Sequence, residues 1–216
     1  IKGNTQLTVR QLRNSMQNIQ KMQDMFESTE RQIKLLDRLV DDLLDISRTQ
    51  ANTLELNFVP CDLATLVREA VEEQRRVWPT RTITLDLPAE STVSISADPD
   101  RISQVMSNYL TNALKYSSED VHVTLQIESD NARVSIQDHG VGLSPEEQKR
   151  VWERFYRTEN VEVLSNSSQS SMMGLGLGLY ICKTIIEQHL GNVGVESTPH
   201  IGSTFWFTLP LAQKDN

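Results

Sequence analysis

Gly174-Leu175-Gly176-Leu177-Gly178-Leu179 constrains this chain more than any other stretch. Glycine at every second position strips one side of the backbone of side chains, so its N–H groups can approach a ligand closely. The residues that follow place apolar side chains (Leu177, Ile181, Ile185, Ile186) at helical spacing. The glycines therefore open a helix, and a helix N-terminus with bare N–H groups ahead of it is a site for anions, phosphate above all. In isolation the same pattern also serves as a tight loop–helix packing joint. The rest of the chain has to decide between them.

Charge narrows the choice. The 216 residues carry 21 Lys and Arg against 29 Asp and Glu, a net charge of −8 that argues against nucleic acid as a partner. No apolar run reaches the ~18 residues a membrane-spanning helix needs, and the polar opening does not resemble a signal peptide. Cys61 and Cys182 lie far apart with no metal-ligand spacing, which fits a reducing, cytoplasmic setting. The first residue is Ile1 rather than Met, so the expectation is a piece of a longer protein.

Two helices are predicted at the start, to about residue 26 and over about 29–52, with Ser28-Thr29-Glu30 as the break. The second stripe (Ile33, Leu36, Val40, Leu43, broadened by Leu35, Leu39, Leu44 and Ile46) is too apolar to face water alone. Residues 1–52 therefore read as half of a four-helix bundle completed by a second copy, a homodimer; the alternative is a hairpin packed on its own globular domain. From about residue 53 to 212 strands and helices mix. Leu54–Val59 alternates as a strand ended by Pro60, and Asp62 is placed to cap a helix over about 63–77. Strands follow near 83–87 and 93–97, then a helix opened by Asp98-Pro99. Strands near 121–128 and 133–137, a helix over 145–152, the glycine-led helix, and strands near 193–196 and 205–209 complete the series. The later strands come as hairpin pairs, which predicts an α+β layered sandwich rather than a parallel sheet. A Ser-, Asn- and Glu-rich stretch over about 158–173 reads as a lid or a disordered segment.

Three further constellations carry chemistry. Asn108, Asn112 and Lys115 share one helix face at spacings of four and three, where carboxamide oxygens suit a divalent cation and an ammonium suits phosphate. Taken alone the pattern is an ordinary polar face. Asp138-His139-Gly140-Val141-Gly142 sets a carboxylate at a strand end beside two glycines, where it can accept a hydrogen bond from a ligand amino group; alone it is a turn. His139 reads as a solvent-facing turn residue, and His122, His189 and His200 carry no assigned role. In Trp152-Glu153-Arg154-Phe155-Tyr156-Arg157 the aromatics Trp152 and Phe155 read as core anchors, with Arg154 and Arg157 reaching for phosphate; alone it is a helix end with basic residues near its C-terminus, favoured by the helix dipole.

In this order, and with Gly202-Ser203-Thr204-Phe205 behind them, the motifs resemble the catalytic and ATP-binding domain of sensor histidine kinases, within the GHKL ATPase superfamily of Bergerat-type folds. Asn108–Ser117 resembles the N box, Asp138–Gly142 the first glycine box, Trp152–Arg157 the F box and Gly174–Leu179 the second glycine box. The likeness covers about Leu54 to Pro210, and residues 1–52 resemble the dimerisation helices that precede such domains. It implies ATP and Mg²⁺ as ligands and a response-regulator receiver domain as partner. Asn112, with Asn108, would hold Mg²⁺; Lys115 would meet the phosphates; Tyr116 and Thr204 would line the nucleotide. Asp138 would bond the adenine amino group, with Gly140 and Gly142 shaping that end. Gly174, Gly176, Leu177, Gly178 and Leu179 would present the helix N-terminus to the phosphates, and Arg157, with Arg154, would stabilise the transferring phosphoryl group. Leu175 stands where the family usually has a small hydroxyl residue. No histidine lies in residues 1–121, so either the family's phosphoacceptor box stands upstream of this chain or the protein is a divergent member whose box differs; the chain alone would bind ATP without phosphorylating itself. Two other readings remain open: a GHKL serine kinase or ATPase of another kind, and a nucleotide-sensing scaffold without phosphotransfer. The full protein would attach to a membrane, if at all, through parts beyond this chain.

Overall fold

The computed structural model describes residues 56–89, 92–158 and 175–212, together with scattered helical residues between Ile19 and Leu44. The chain divides into two compact units, Ile1–Leu43 and Leu44–Asn216. In the first, Ile19, Met22, Phe26, Ile33, Leu36 and Val40 are helical and each more than half exposed. Residues 28–30, expected as a break between helices, are helical instead. Thr29 Oγ1 donates to Met25 O at 2.9 Å, so its hydroxyl is satisfied inside the helix rather than ending it. Residues 1–18 and 45–52 of the expected hairpin, Gly174, and all but Thr158 of the expected lid lie outside the described residues. Among the described residues no helix is long and apolar enough to cross a membrane.

The second unit runs β1 (Val59–Asp62), α1 (Leu63–Val77), β2 (Ile83–Asp86), β3 (Ser94–Ala97), α2 (Pro99–Tyr116), β4 (Val121–Glu128), β5 (Asn131–Asp138), α3 (Pro145–Arg150), α4 (Gly178–Gln188), β6 (Asn192–Thr198) and β7 (Gly202–Pro210). Five strands form one sheet in the order β2-β4-β5-β7-β6, while β1 and β3 pair as a separate ribbon. Only β2–β4 is parallel within the larger sheet; its other pairings are antiparallel. Period-two burial along the strands is what makes the layers. Val121, Val123 and Leu125 of β4, Ala132, Val134 and Ile136 of β5, and Phe207 and Leu209 of β7 join one core with the apolar stripes of α1, α2 and α4. The architecture is the expected α/β two-layer sandwich. On the opposite face Trp206 lies over Gly194, with the Arg133 guanidinium 4.3 Å above the ring and paired to Glu196 at 3.0 Å.

Asp62 caps α1 as expected, accepting from Ala64 N–H at 3.2 Å and Thr65 Oγ1 at 2.7 Å. It also accepts from Val93 N–H at 2.8 Å, which ties the helix start to the β3 side of the ribbon. The first strand differs from expectation. It covers Val59–Asp62 with Pro60 inside it, and residues 56–58 lie outside any strand. Pairing decides this: β1 has only β3 beside it, in the register Val59↔Ala97 to Asp62↔Ser94, and such an edge tolerates proline.

His189, given no role by its sequence context, is a buried hub. Its Nδ1–H donates to Ile185 O at 2.7 Å while Nε2 accepts from Asp98 N–H at 3.0 Å, an arrangement that requires the neutral ring. Asp98 in turn caps α2 through Arg101 N–H at 3.2 Å and accepts from Asn57 N–H at 3.0 Å; Phe58 packs on the imidazole at 4.9 Å. Burial pushes the His189 pKa below its ordinary 6.5, against the raising influence of the Ile185 carbonyl and Asp98. Because the folded value is depressed, the unfolded chain binds the proton more readily. This contribution to stability is complete above pH 6.5 and is lost as pH falls through the folded value. His189→Ala is expected to lower stability at pH 7.5 by roughly 1–3 kcal/mol, leaving Asp98 N–H without its acceptor. Denaturant titrations across pH should show a shallower acid slope in the variant; an unchanged slope would remove His189 as the titrating group.

Candidate functional site

α2 is amphipathic in a way that prepares a site. Ile102, Val105, Met106, Tyr109, Leu110, Ala113 and Leu114 are buried, and Asn108, Asn112 and Lys115 fall together on the half-buried flank. Asn108 faces the start of α4. A Cβ placed on Gly178 would lie 2.6 Å from Asn108 Oδ1, so any larger residue there would make that carboxamide give way. α4 begins at Gly178 with Leu177 as its N-cap residue and no side-chain cap bond, which leaves its first N–H groups to other partners. Leu177 is buried and Leu179 packs against the core, so these two side chains anchor the helix while their backbone borders the site. Leu175 is exposed.

At the far end of α2 the Tyr116 carbonyl backs onto Gly140. Asp138 ends β5 with the parity of Ala132, Val134 and Ile136, so strand alternation carries a carboxylate onto the apolar side of the sheet. It is 6% exposed, and Gly140 N–H donates to its Oδ1 at 2.8 Å. Burial raises the Asp138 pKa above the ordinary 3.8, while the N–H groups of Gly140 and Ser203 and the nearby His139 pull it down. His139 itself is exposed, as expected of a turn residue. Gly142 takes a left-handed φ of +65° and backs onto the Thr198 carbonyl.

Two expected site residues, Thr204 and Arg154, and one expected core anchor, Phe155, are placed otherwise than the motifs suggest. β7 pairs Ser203 with Asp138 and Thr204 with Gln137, so Thr204 shares the opposite face of the sheet and Ser203 is the residue beside the carboxylate. Counting parity from the apolar Phe205, Phe207 and Leu209 would have found Ser203. Phe155 is no core anchor: it has φ +61° and is 60% exposed. The chain turns left-handed there so that Phe155 N–H can reach Gly176 O at 3.0 Å, which swings the ring outward. Trp152 does pack inward, edge-on to Phe205 at 6.1 Å. Arg154 is already engaged, donating from Nη2 to Tyr180 Oη at 2.5 Å with its guanidinium 4.5 Å from that ring's centroid. Arg157 is exposed and lies beside Gly176.

Residues 144–157 also border an open groove of about 670 Å³ with Glu147, Arg150, Glu153, Arg154 and Arg157 on its walls. Asn108, Asn112 and Lys115 do not line it.

The chain is similar to known proteins. A family model described as histidine kinase-, DNA gyrase B-, and HSP90-like ATPase matches residues 97–213. The adaptive-response sensory kinase SasA of Rippkaea orientalis is 31% identical over 196 residues, covering 88% of this chain and 48% of the relative. SasA of Crocosphaera subtropica is 33% identical over 192 residues, covering 87% and 48%. The chain thus spans about half the length of the curated relatives it matches. Among solved structures, full-length ShkA in complex with AMPPNP aligns with a TM-score of 0.69 and 28% identity, over 83% of this chain and 36% of that one. The Acinetobacter baumannii histidine kinase AdeS aligns at 0.68 with 22% identity, over 87% and 84%, a likeness of fold alone. With more than half of its length matched by the family model, the chain belongs to the histidine kinase-, DNA gyrase B- and HSP90-like ATPases, as a catalytic domain of the sensor histidine kinase kind.

Proposed function

We propose that this chain is the ATP-binding kinase module of a two-component sensor kinase, acting from the cytoplasmic side as a homodimer through residues 1–52. The carrying observation is the polar flank of α2, which connects two dissimilar ends of one cleft. Asn108 stands at the bare N-terminus of α4, and the Tyr116 carbonyl stands at Gly140 beside the buried Asp138. Eight residues of helix separate them by about 12 Å, a span that suits a nucleotide with its phosphates at one end and its base at the other. In this reading Asp138 accepts from the adenine amino group, with Ser203 beside it and Gly140 and Gly142 shaping the wall. Lys115 and the N–H groups from Gly176 and Gly178 hold phosphate oxygens, with Gly174 ahead of them. Arg157 faces the γ-phosphoryl.

Asn108 and Asn112 fit Mg²⁺ as neutral, hard oxygen donors that leave coordination positions to phosphate oxygens and water. The ion, when bound, neutralises phosphate charge; positioning is the work of the chain's own residues. The γ-phosphoryl would leave the β–γ bridging oxygen of ATP for a ring nitrogen of a histidine upstream of this chain, releasing ADP. From there it would pass to an aspartate of a response-regulator receiver domain. The exposed apolar side chains of the first unit support the dimer, because a stripe of that width faces a partner rather than water.

Calorimetric titration with AMPPNP, with and without Mg²⁺, tests the reading. Mg²⁺-dependent binding with a dissociation constant of roughly micromolar order is expected, and absence of binding would overturn it. Asn112→Ala should remove the Mg²⁺-dependent part of the affinity without changing the unfolding midpoint. Asp138→Asn makes a sharper demand. Because burial raises this carboxyl's pKa, its ionised form costs stability at neutral pH. The variant should therefore melt higher without nucleotide while binding AMPPNP at least about tenfold more weakly. A lower melting temperature, or equal affinity, would take Asp138 out of the base-binding role.

A further inference from the structure

Residues 154–157 and the start of α4 are tied together at several points. Phe155 N–H donates to Gly176 O at 3.0 Å. Gly176, at φ +74°, lies so close to this segment that a Cβ on it would stand 2.6 Å from Tyr156 O and 3.2 Å from Arg157 Cγ. Outside this backbone contact stands a side-chain bridge: Arg154 Nη2 donates to Tyr180 Oη at 2.5 Å, and its guanidinium covers the Tyr180 ring. Arg150 covers the Tyr156 ring in the same manner at 4.3 Å and steadies the segment from the α3 side. Tyr180 belongs to the first turn of α4 and packs partly against the core, so it is a fixed post.

From this we infer that Arg154 and Tyr180 form a positioning clasp that sets Arg157 relative to the N-terminus of α4, and that Arg154 does not itself meet phosphate. The inference rests on the nucleotide-site reading above. An arginine that both stacks on a ring and donates to its hydroxyl has its planar fork committed to that post. Its partner lies in the very turn whose N–H groups the reading assigns to phosphate. Loosening the clasp lets residues 155–157 shift against Gly176 and carries the Arg157 guanidinium away from the end of the phosphate chain. The base, held from β5, and the phosphate oxygens held by Lys115 and the Gly178 N–H keep their contacts.

AMPPNP and ADP affinities distinguish this clasp from a direct phosphate contact. Wild type, Arg154→Ala, Tyr180→Ala, Tyr180→Phe and the Arg154→Ala/Tyr180→Ala double variant are titrated with each nucleotide in Mg²⁺. Arg154→Ala and Tyr180→Ala are each expected to weaken AMPPNP binding by about two- to fivefold while leaving ADP nearly unchanged. The double variant should be no worse than either single one, because both remove the same bridge. Tyr180→Phe, which keeps the stacked ring and loses the hydroxyl, should fall between wild type and Tyr180→Ala. Multiplicative losses in the double variant, or a loss on Arg154→Ala with none on Tyr180→Ala, would overturn the clasp and make Arg154 a direct contact. Equal losses for ADP and AMPPNP would also overturn it, as the mark of general loosening. If wild type binds neither nucleotide, the site reading fails first and the clasp with it. If wild type binds and all variants match it, the clasp alone fails.

Discussion

Burial of the apolar side of α2 against the sheet is the interaction from which the rest hangs. Each large side chain buried there contributes roughly 1.5–3 kcal/mol, and Ile102, Val105, Met106, Tyr109, Leu110 and Leu114 are all almost wholly out of water. Turning the helix by one residue, about 100°, would exchange part of that stripe for Asn108 and Asn112. No polar contact at the cleft is strong enough to force such a turn. The carboxamides therefore stand where the core puts them, on the flank facing α4. Gly178 then leaves the Asn108 carboxamide room at the start of α4.

The same logic places Asp138, with the opposite sign for stability. Strand parity assigns its position to the apolar layer, and the chain fills it with a carboxylate. Two backbone N–H groups, from Gly140 and Ser203, offset part of the desolvation cost without cancelling it, since the pKa remains raised. A residue that breaks the binary pattern at a strand end, next to glycines, is placed as a functional residue would be, which supports the base-binding role proposed for Asp138. His189 breaks the pattern too, yet its two ring nitrogens are satisfied by Ile185 and Asp98, so it serves the fold.

What was legible in the sequence follows from range. The Asp62 cap, the start of α2 at Asp98-Pro99 and the alternation of β4 and β5 depend on residues within a few positions of one another, and all are readable as local patterns. β1 was misplaced because alternation alone does not name a partner; the register with β3, set nearly forty residues on, chose Val59–Asp62 over Leu54–Val59. The break predicted at residues 28–30 failed because Thr29 found an acceptor within its own helix. Phe155 looked like a core residue by composition, and its left-handed turn answers to Gly176, a partner across the segment. The contact of Arg154 with Tyr180 is not legible locally, because Tyr180 belongs to another element. His189 was passed over for the same reason: its acceptor and donor partners lie 4 and 91 residues away. The motifs announced the cleft, and spatial neighbours decided which side chains enter it.

The open sheet also has two free borders, and their treatment bears on how such domains coexist at close quarters. β2 closes one border with four residues, and its exposed Asp86 lies 3.3 Å from His122. β6 closes the other, its exposed Glu196 held by Arg133 and its Gly194 roofed by the Trp206 indole. Short length at one border, and charge with a covering ring at the other, are poor templates for a foreign strand. In the proposed homodimer, tethering two identical chains would raise the local concentration of each border for the other to roughly millimolar. A flat, unguarded edge would invite strand exchange under those conditions, so the guarded borders allow crowding without fusion into a continuous sheet.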